Sequence, residues 1–144
     1  MLLSEYKFLV ITILAWASVQ LFKFIADAII NRKINFKRLV ETGGMPSSHS
    51  ATVTSLMTAI GISEGFNSAI FAVAFVFSVI VMYDAAGVRR AAGKQATILN
   101  QLINSNQVQV DTNEKLKELL GHTPFQVVVG ALYGIVLAVI FMNI

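Results

Sequence analysis

The chain alternates long apolar runs with short polar gaps. Four runs approach the roughly 20 residues that carry a helix across a bilayer. They cover residues 8–30, about 47–62, 66–83 and about 123–142; the second is shorter and rich in Ser and Thr. Val, Ile and Phe dominate the third and fourth. In water such a composition favours strands. In lipid a run of this length is helical, because every backbone group must be satisfied within its own segment. The first run exceeds the roughly 7–15 residues of a signal-peptide core, and no small-residue cleavage site follows it, so it is expected to stay as a span.

A polar stretch, residues 84–121, separates the third and fourth runs. Its end, "DTNEKLKELLGH", has helical period. Asp111 or Thr112 can cap it, and Glu114 stands at capping-box spacing from Asp111. Leu116, Leu119 and Leu120 form one apolar face, and Gly121 suits a helix stop. A shorter helix is expected around residues 93–103, resting Ile98, Leu99 and Leu102 against the bilayer or the bundle. The expected fold is all-α. It is a single integral-membrane bundle, residues 1–144, of about four spans with one or two short amphipathic helices on the cytoplasmic side.

Composition agrees with this pattern. Of 144 residues, 56% are hydrophobic and 13% charged, against about 25% charged in soluble domains. There is no cysteine, which excludes disulfides and thiolate metal sites. The net charge of +3 is small; its placement says more. Arg32, Lys33, Lys37 and Arg38 lie in the loop 31–46. Arg89, Arg90, Lys94, Lys115 and Lys117 lie in 84–121, and Lys7 lies alone at the other end. Lys and Arg in short loops mark the cytoplasmic side. With four spans both basic loops are cytoplasmic and both termini lie on the other side.

Candidate chemistry gathers at the cytoplasmic ends. "GGMPSSHSA" holds Gly43, Gly44, Pro46, Ser47, Ser48 and His49; "GHTPFQ" holds His122 and Gln126. The glycines allow close backbone approach, and Pro46 suits the first turn of a helix. The Ser47, Ser48 and His49 amides at that helix start form an anion site, and His49 can donate a proton to a bound anion. Ser47, Ala51, Ser55 and Ala59 repeat at four-residue spacing, as do His122, Gln126, Gly130, Gly134 and Ala138. Small-residue stripes let membrane helices pack closely and would bring the two histidines together. Gln126 can hydrogen-bond the His122 imidazole and fix its tautomer. Arg89 and Arg90 suit bidentate phosphate binding or interfacial anchoring. Lys23 and Asp27, one turn apart within the first span, are read as a structural pair, with added positive potential from Lys23 as the alternative, and Asp84 as an Arg partner, an ion ligand or a helix end.

"GGMPSSHSA", "YDAAGVRRAAGKQA" and "LLGHTPFQVVVGALYGI", in this order, resemble the divergent branch of the type 2 phosphatidic acid phosphatase family, which is related to vanadium-dependent haloperoxidases. The resemblance runs from about residue 42 to residue 135. Pro46-Ser47-Ser48-His49 matches the family's P-S-G-H motif, with Ser for Gly. The resemblance implies that this turn binds phosphate and that His49 is the general acid. His122 matches the histidine of S-R-x-x-x-x-x-H-x-x-x-D, which attacks phosphorus in the family. Gln126 replaces that motif's Asp: it can hold a tautomer but cannot stabilise an imidazolium by charge. Lys115 and Leu116 stand where the motif has Ser and Arg, and Arg89 or Arg90 would supply the missing charge. The family's first motif has no clean match, and its core usually has six spans, so this chain resembles a trimmed version.

These readings lead to an expected integral-membrane phosphatase acting on a lipid phosphate or another phosphomonoester at the cytoplasmic face. His122, His49 and Gln126 are its catalytic group, and Ser47, Ser48, Gly44, Arg89 and Arg90 its phosphate-binding group, with no metal or other cofactor. The expected partners are the bilayer and a phosphorylated substrate, with no nucleic acid; a homodimer is possible through the small-residue stripes. The alternative is a non-catalytic membrane protein that keeps an anion or lipid head-group pocket. Haloperoxidase activity would need vanadate in that pocket and fits a membrane location poorly.

Overall fold

A computed structural model describes residues 6–40, 43–104, 116 and 121–144. Every regular element among them is helical: α1 (Lys7–Asn31), a 3-10 turn (Phe36–Leu39), α2 (Ser48–Glu64), α3 (Ala69–Ala86), α4 (Val88–Asn104) and α5 (Pro124–Met142). The amphipathic helix expected in "DTNEKLKELLGH" falls almost wholly outside the described residues. The shorter polar helix is present as α4, longer than expected and continuous in direction with α3 across Gly87.

Local chemistry sets the ends. Ser47 caps α2 by accepting the Ser50 N–H, Ser68 caps α3 by accepting the Phe71 N–H, and Thr123 and Gln126 form a capping box around Pro124 at the start of α5. Each cap satisfies donors that a helix start leaves without an intrahelical partner. Gly65 ends α2 with φ 89°.

Among the described residues, three helices are long and apolar enough to cross a membrane: α1, the α3–α4 rod and α5. Their outer faces are apolar and exposed, as Phe22, Val73, Val76, Leu132 and Val136 show. That is the arrangement of a bundle whose solvent is lipid. The expected second span, α2, is only 17 residues long, about 25 Å at 1.5 Å per residue. It is the most enclosed helix, packed against α1, α3 and α5. Its Ser and Thr residues fit this position. Thr52, Thr54 and Ser55 donate to the Ser48, Ser50 and Thr52 carbonyls, so the hydroxyls need no water.

Hydrogen bonds fix the helix directions. Lys7 Nζ donates to Ser63 Oγ at 2.9 Å, and Lys23 Nζ to Ser48 Oγ at 3.3 Å, so α1 and α2 are antiparallel. Thr54 Oγ1 donates to the Ala131 carbonyl at 3.0 Å, and Ser78 Oγ to the Val53 carbonyl at 3.0 Å, tying α5 and α3 to α2. The end of α1, the start of α2, the end of α3 and the start of α5 therefore meet at one end of the bundle. Ile11, Ala59 and Ala138 pack together at the other.

The α2–α5 seam is the tightest contact. Ala51, Ser55 and Ala59 on α2, and Gly130, Gly134 and Ala138 on α5, are all buried. A Cβ on Gly130 would run into the Ser47 backbone, and one on Gly134 into the Ala51 carbonyl and the Thr54 hydroxyl. Backbone cannot retreat as a flexible side chain can. Gly134→Ala is expected to lower unfolding stability by about 1–3 kcal/mol, measured by denaturant or thermal unfolding in detergent. Val136→Ala on the exposed face should change it far less.

Candidate active site

The segment 43–47 leads into α2 as an open loop. Gly43 and Gly44 have φ of 108° and 75°, and Gly44 is exposed with no atom near the position of a Cβ. Pro46 was expected inside the first turn; it lies just before the helix, after a cis Met45–Pro46 bond. The reason is Ser47, which takes the cap with extended backbone and its hydroxyl on the Ser50 N–H. The Ser47 N–H donates to the Gln126 carbonyl at 3.1 Å. Both Ser47 donor and acceptor groups thus build the turn and join it to α5. The amides left without an intrahelical acceptor at this helix start are those of Ser48 and His49.

His122 is brought to the same place from the other direction. Its N–H donates to the Ala85 carbonyl at the end of α3, at 2.9 Å. Gly121 has φ 84° and lies against the Arg89–Arg90 backbone, where a Cβ would sit 2.8 Å from the Arg89 carbonyl carbon. Expected as a helix stop, Gly121 also lets the His122 turn nest against the α3–α4 junction. His49 and His122 face each other edge to face, ring centroids 6.0 Å apart. His122 is 3% exposed. The Nδ1 atoms of both imidazoles and the hydroxyl of Ser50 are buried without a hydrogen-bond partner.

Gln126 serves two neighbours: its side chain lies within hydrogen-bonding reach of the His122 imidazole and also closes the cap of α5. Its Oε1 accepts the Thr123 N–H at 3.0 Å, while Thr123 Oγ1 accepts the Gln126 N–H at 3.3 Å. The reciprocal cap holds the carboxamide at the start of α5, and His122 Nδ1 stays unpaired.

Three cations near the site differ in what they reach. Arg89 forms a 2.8 Å ion pair with Asp84 and is close enough to influence both imidazoles. Arg90 is exposed, and its backbone rather than its guanidinium meets the His122 turn. Lys23, read as structural, is 5% exposed and reaches Ser48 Oγ and Gln20 Oε1. Gln20 in turn donates to the Leu39 carbonyl, anchoring the 3-10 turn to α1. Sequence spacing gave no sign that Lys23 and Ser48, 25 positions apart, would meet. Among the described residues no three His, Asp or Glu side chains converge as a metal-ligand group.

Residues 4–137 match the family described as the divergent PAP2 family. The chain belongs to the divergent PAP2 family. It is 44% identical over 133 residues to the "Uncharacterized membrane protein YuiD" of Bacillus subtilis (strain 168), covering 84% of each chain. No solved structure matches it. This divergent PAP2 chain is thus a membrane protein with two histidines at a shared helix end.

Burial holds the His122 imidazole below its ordinary value of 6.5, and the Lys23 ammonium pushes the same way; the Gln126 carboxamide opposes them, while His49 and Arg89 add to the lowering. A neutral imidazole in the folded protein means that the unfolded chain binds more protons below pH 6.5. Stability should therefore be level above that pH and fall as the pH drops from 6.5 towards the lower folded value. In unfolding measurements between pH 7.5 and 5, His122→Gln is expected to show a flatter dependence than the parent.

Proposed function

We propose that this divergent PAP2 protein hydrolyses a phosphomonoester, borne on a lipid or soluble, through a phosphohistidine. The observation that supports this most is the pairing of His49 and His122 at 6.0 Å beside the N-terminus of α2. Neutral His122 attacks phosphorus; the bond to the leaving oxygen breaks as His49 gives that oxygen a proton. Water, deprotonated by His49, then breaks the phosphorus–nitrogen bond and releases inorganic phosphate. The Ser48 and His49 amides hold the phosphoryl oxygens, with Arg89 and Lys23 adding positive potential. Arg90 is left to interfacial anchoring.

Gln126 favours one competing reading. Among the described residues no carboxylate backs His122, and the neutral carboxamide of Gln126 stands beside it instead. A protein that binds an anionic head group without turning it over would need no such carboxylate. Purified protein should release phosphate from a panel of lipid and soluble phosphomonoesters. His122→Ala should abolish release, and His49→Ala should slow it roughly 10²–10⁴-fold. Binding of anionic lipid with no release from any ester would favour the non-catalytic reading.

The same reading places the site in the cytoplasm. Among the described residues, Arg32, Lys33 and Lys37 follow α1 and Arg89, Arg90 and Lys94 follow α3, at the site end of the bundle, and such basic segments favour the cytoplasmic side. The chain has no native cysteine, so a single cysteine next to Arg90 reports orientation cleanly. It should resist an impermeant thiol reagent in intact cells and react after lysis. Labelling in intact cells would reverse the orientation.

A further inference from the structure

Gln20 and Lys23 lie one helical turn apart on α1, and both are buried, at 4% and 5% exposed. Polar side chains inside a span are costly and face the bundle. Their hydrogen bonds form one path. Gln20 Nε2 donates to the Leu39 carbonyl at 2.9 Å, and Lys23 Nζ donates to Gln20 Oε1 at 3.2 Å and to Ser48 Oγ at 3.3 Å. The path runs from the 3-10 turn, through α1, to the start of α2.

The turn gives this path a fixed end. Asn35 Oδ1 accepts the Lys37 N–H, the Val40 N–H donates to the Lys37 carbonyl, and Phe36 stacks on Phe24 of α1 with ring centroids 5.7 Å apart. A carbonyl can only accept, so Leu39 takes the NH2 half of the Gln20 carboxamide and turns Oε1 towards Lys23. An ammonium can only donate, so it suits that oxygen. The choice of side chain at position 20 then has an electrostatic consequence. A carboxylate there would also accept from Lys23, but its charge would offset the ammonium's, and it would set oxygen against the Leu39 oxygen. The neutral carboxamide holds the ammonium and leaves its charge in force. The field of that charge reaches both imidazoles of the site.

We propose that Gln20 is a positioning residue. Held by the Leu39 carbonyl, it aims the Lys23 ammonium at the start of α2 without neutralising it, and so sets the affinity of that helix start for an anion. The assignment rests on the phosphate-site reading above and adds to it a residue that acts through Lys23.

Inorganic phosphate is the probe, because its binding needs no turnover. Full-length protein in detergent is titrated with it in a calorimeter, and thermal unfolding of each variant reports whether the fold is kept. Gln20→Met keeps the side-chain length and removes its hydrogen-bonding groups. It should weaken phosphate binding roughly 10- to 100-fold, the effect of losing one hydrogen bond to a charged group. Gln20→Glu, which can still accept from Lys23, should weaken it as much, because the ammonium's charge is offset. A double-mutant cycle separates positioning from packing. In a Lys23→Met background, Gln20→Met should cost no further affinity, whereas a merely structural role would add its own loss. Parent-like affinity in Gln20→Met, or losses that add in the cycle, would overturn the assignment. Should Gln20→Met unfold, parent-like affinity in Gln20→Glu would overturn it equally. Phosphate binding that depends on Gln20, with no release from any ester, would sink the phosphatase reading alone. Phosphate binding indifferent to Gln20, with ester hydrolysis intact, would sink the positioning role alone. A parent chain that binds no phosphate would overturn the site and this role together.

Discussion

The close approach of α2 to α5 is the constraint on which the site depends. Gly130 and Gly134 leave room for the Ser47 and Ala51 backbones to pass where a side chain would stand. At that separation the Ser47 N–H can reach the Gln126 carbonyl. This bond locks the start of α2 to the start of α5, and the two histidines sit on either side of it. In lipid there is little hydrophobic force between helices, so close van der Waals packing and interhelical hydrogen bonds must hold the bundle. The same glycines thus serve cohesion and the placement of chemistry.

A second consequence is electrostatic. Burying α2 at the centre of the bundle points its positive end at a confined space. Lys23 adds a nearby ammonium, and Arg89 a guanidinium held by Asp84. Burial first and this positive field second push the His122 imidazole below its ordinary value, which favours its neutral form. A neutral imidazole is the form that can attack phosphorus, and a positive field is what a phosphate needs. One arrangement therefore favours both the proposed nucleophile and the proposed phosphate.

The sequence was most informative where geometry is periodic. The four-residue stripes of Ala51 and Ala59, and of Gly130, Gly134 and Ala138, foretold the seam because helical spacing puts such residues on one face. The meeting of His49 and His122 followed from that seam and from the shared basic side of their loops. Less legible was the choice among local partners. Thr123 and Gln126 carry the spacing of a capping box, yet Gln126 also sits where the related motif places an orienting carboxylate. Sequence alone could not decide between them, and the structure has Gln126 closing the cap while lying within reach of His122. Ser47 displaced Pro46 from the helix start for a similar reason: its hydroxyl satisfies a backbone donor that proline cannot. The contact of Lys23 with Ser48, and the nesting of Gly121 on the Arg89–Arg90 backbone, depend on helix packing that no local pattern records.

The proposed chemistry turns on His122 as the group that takes the phosphoryl. Intact-mass spectrometry of protein quenched during turnover of a phosphate ester tests this directly. The expected result is one added phosphoryl group on the parent chain, stable to alkali and lost in acid, absent from His122→Ala and still present in His49→Ala. A phosphoryl adduct that persists in His122→Ala, or phosphate release with no adduct under any quench, would contradict it.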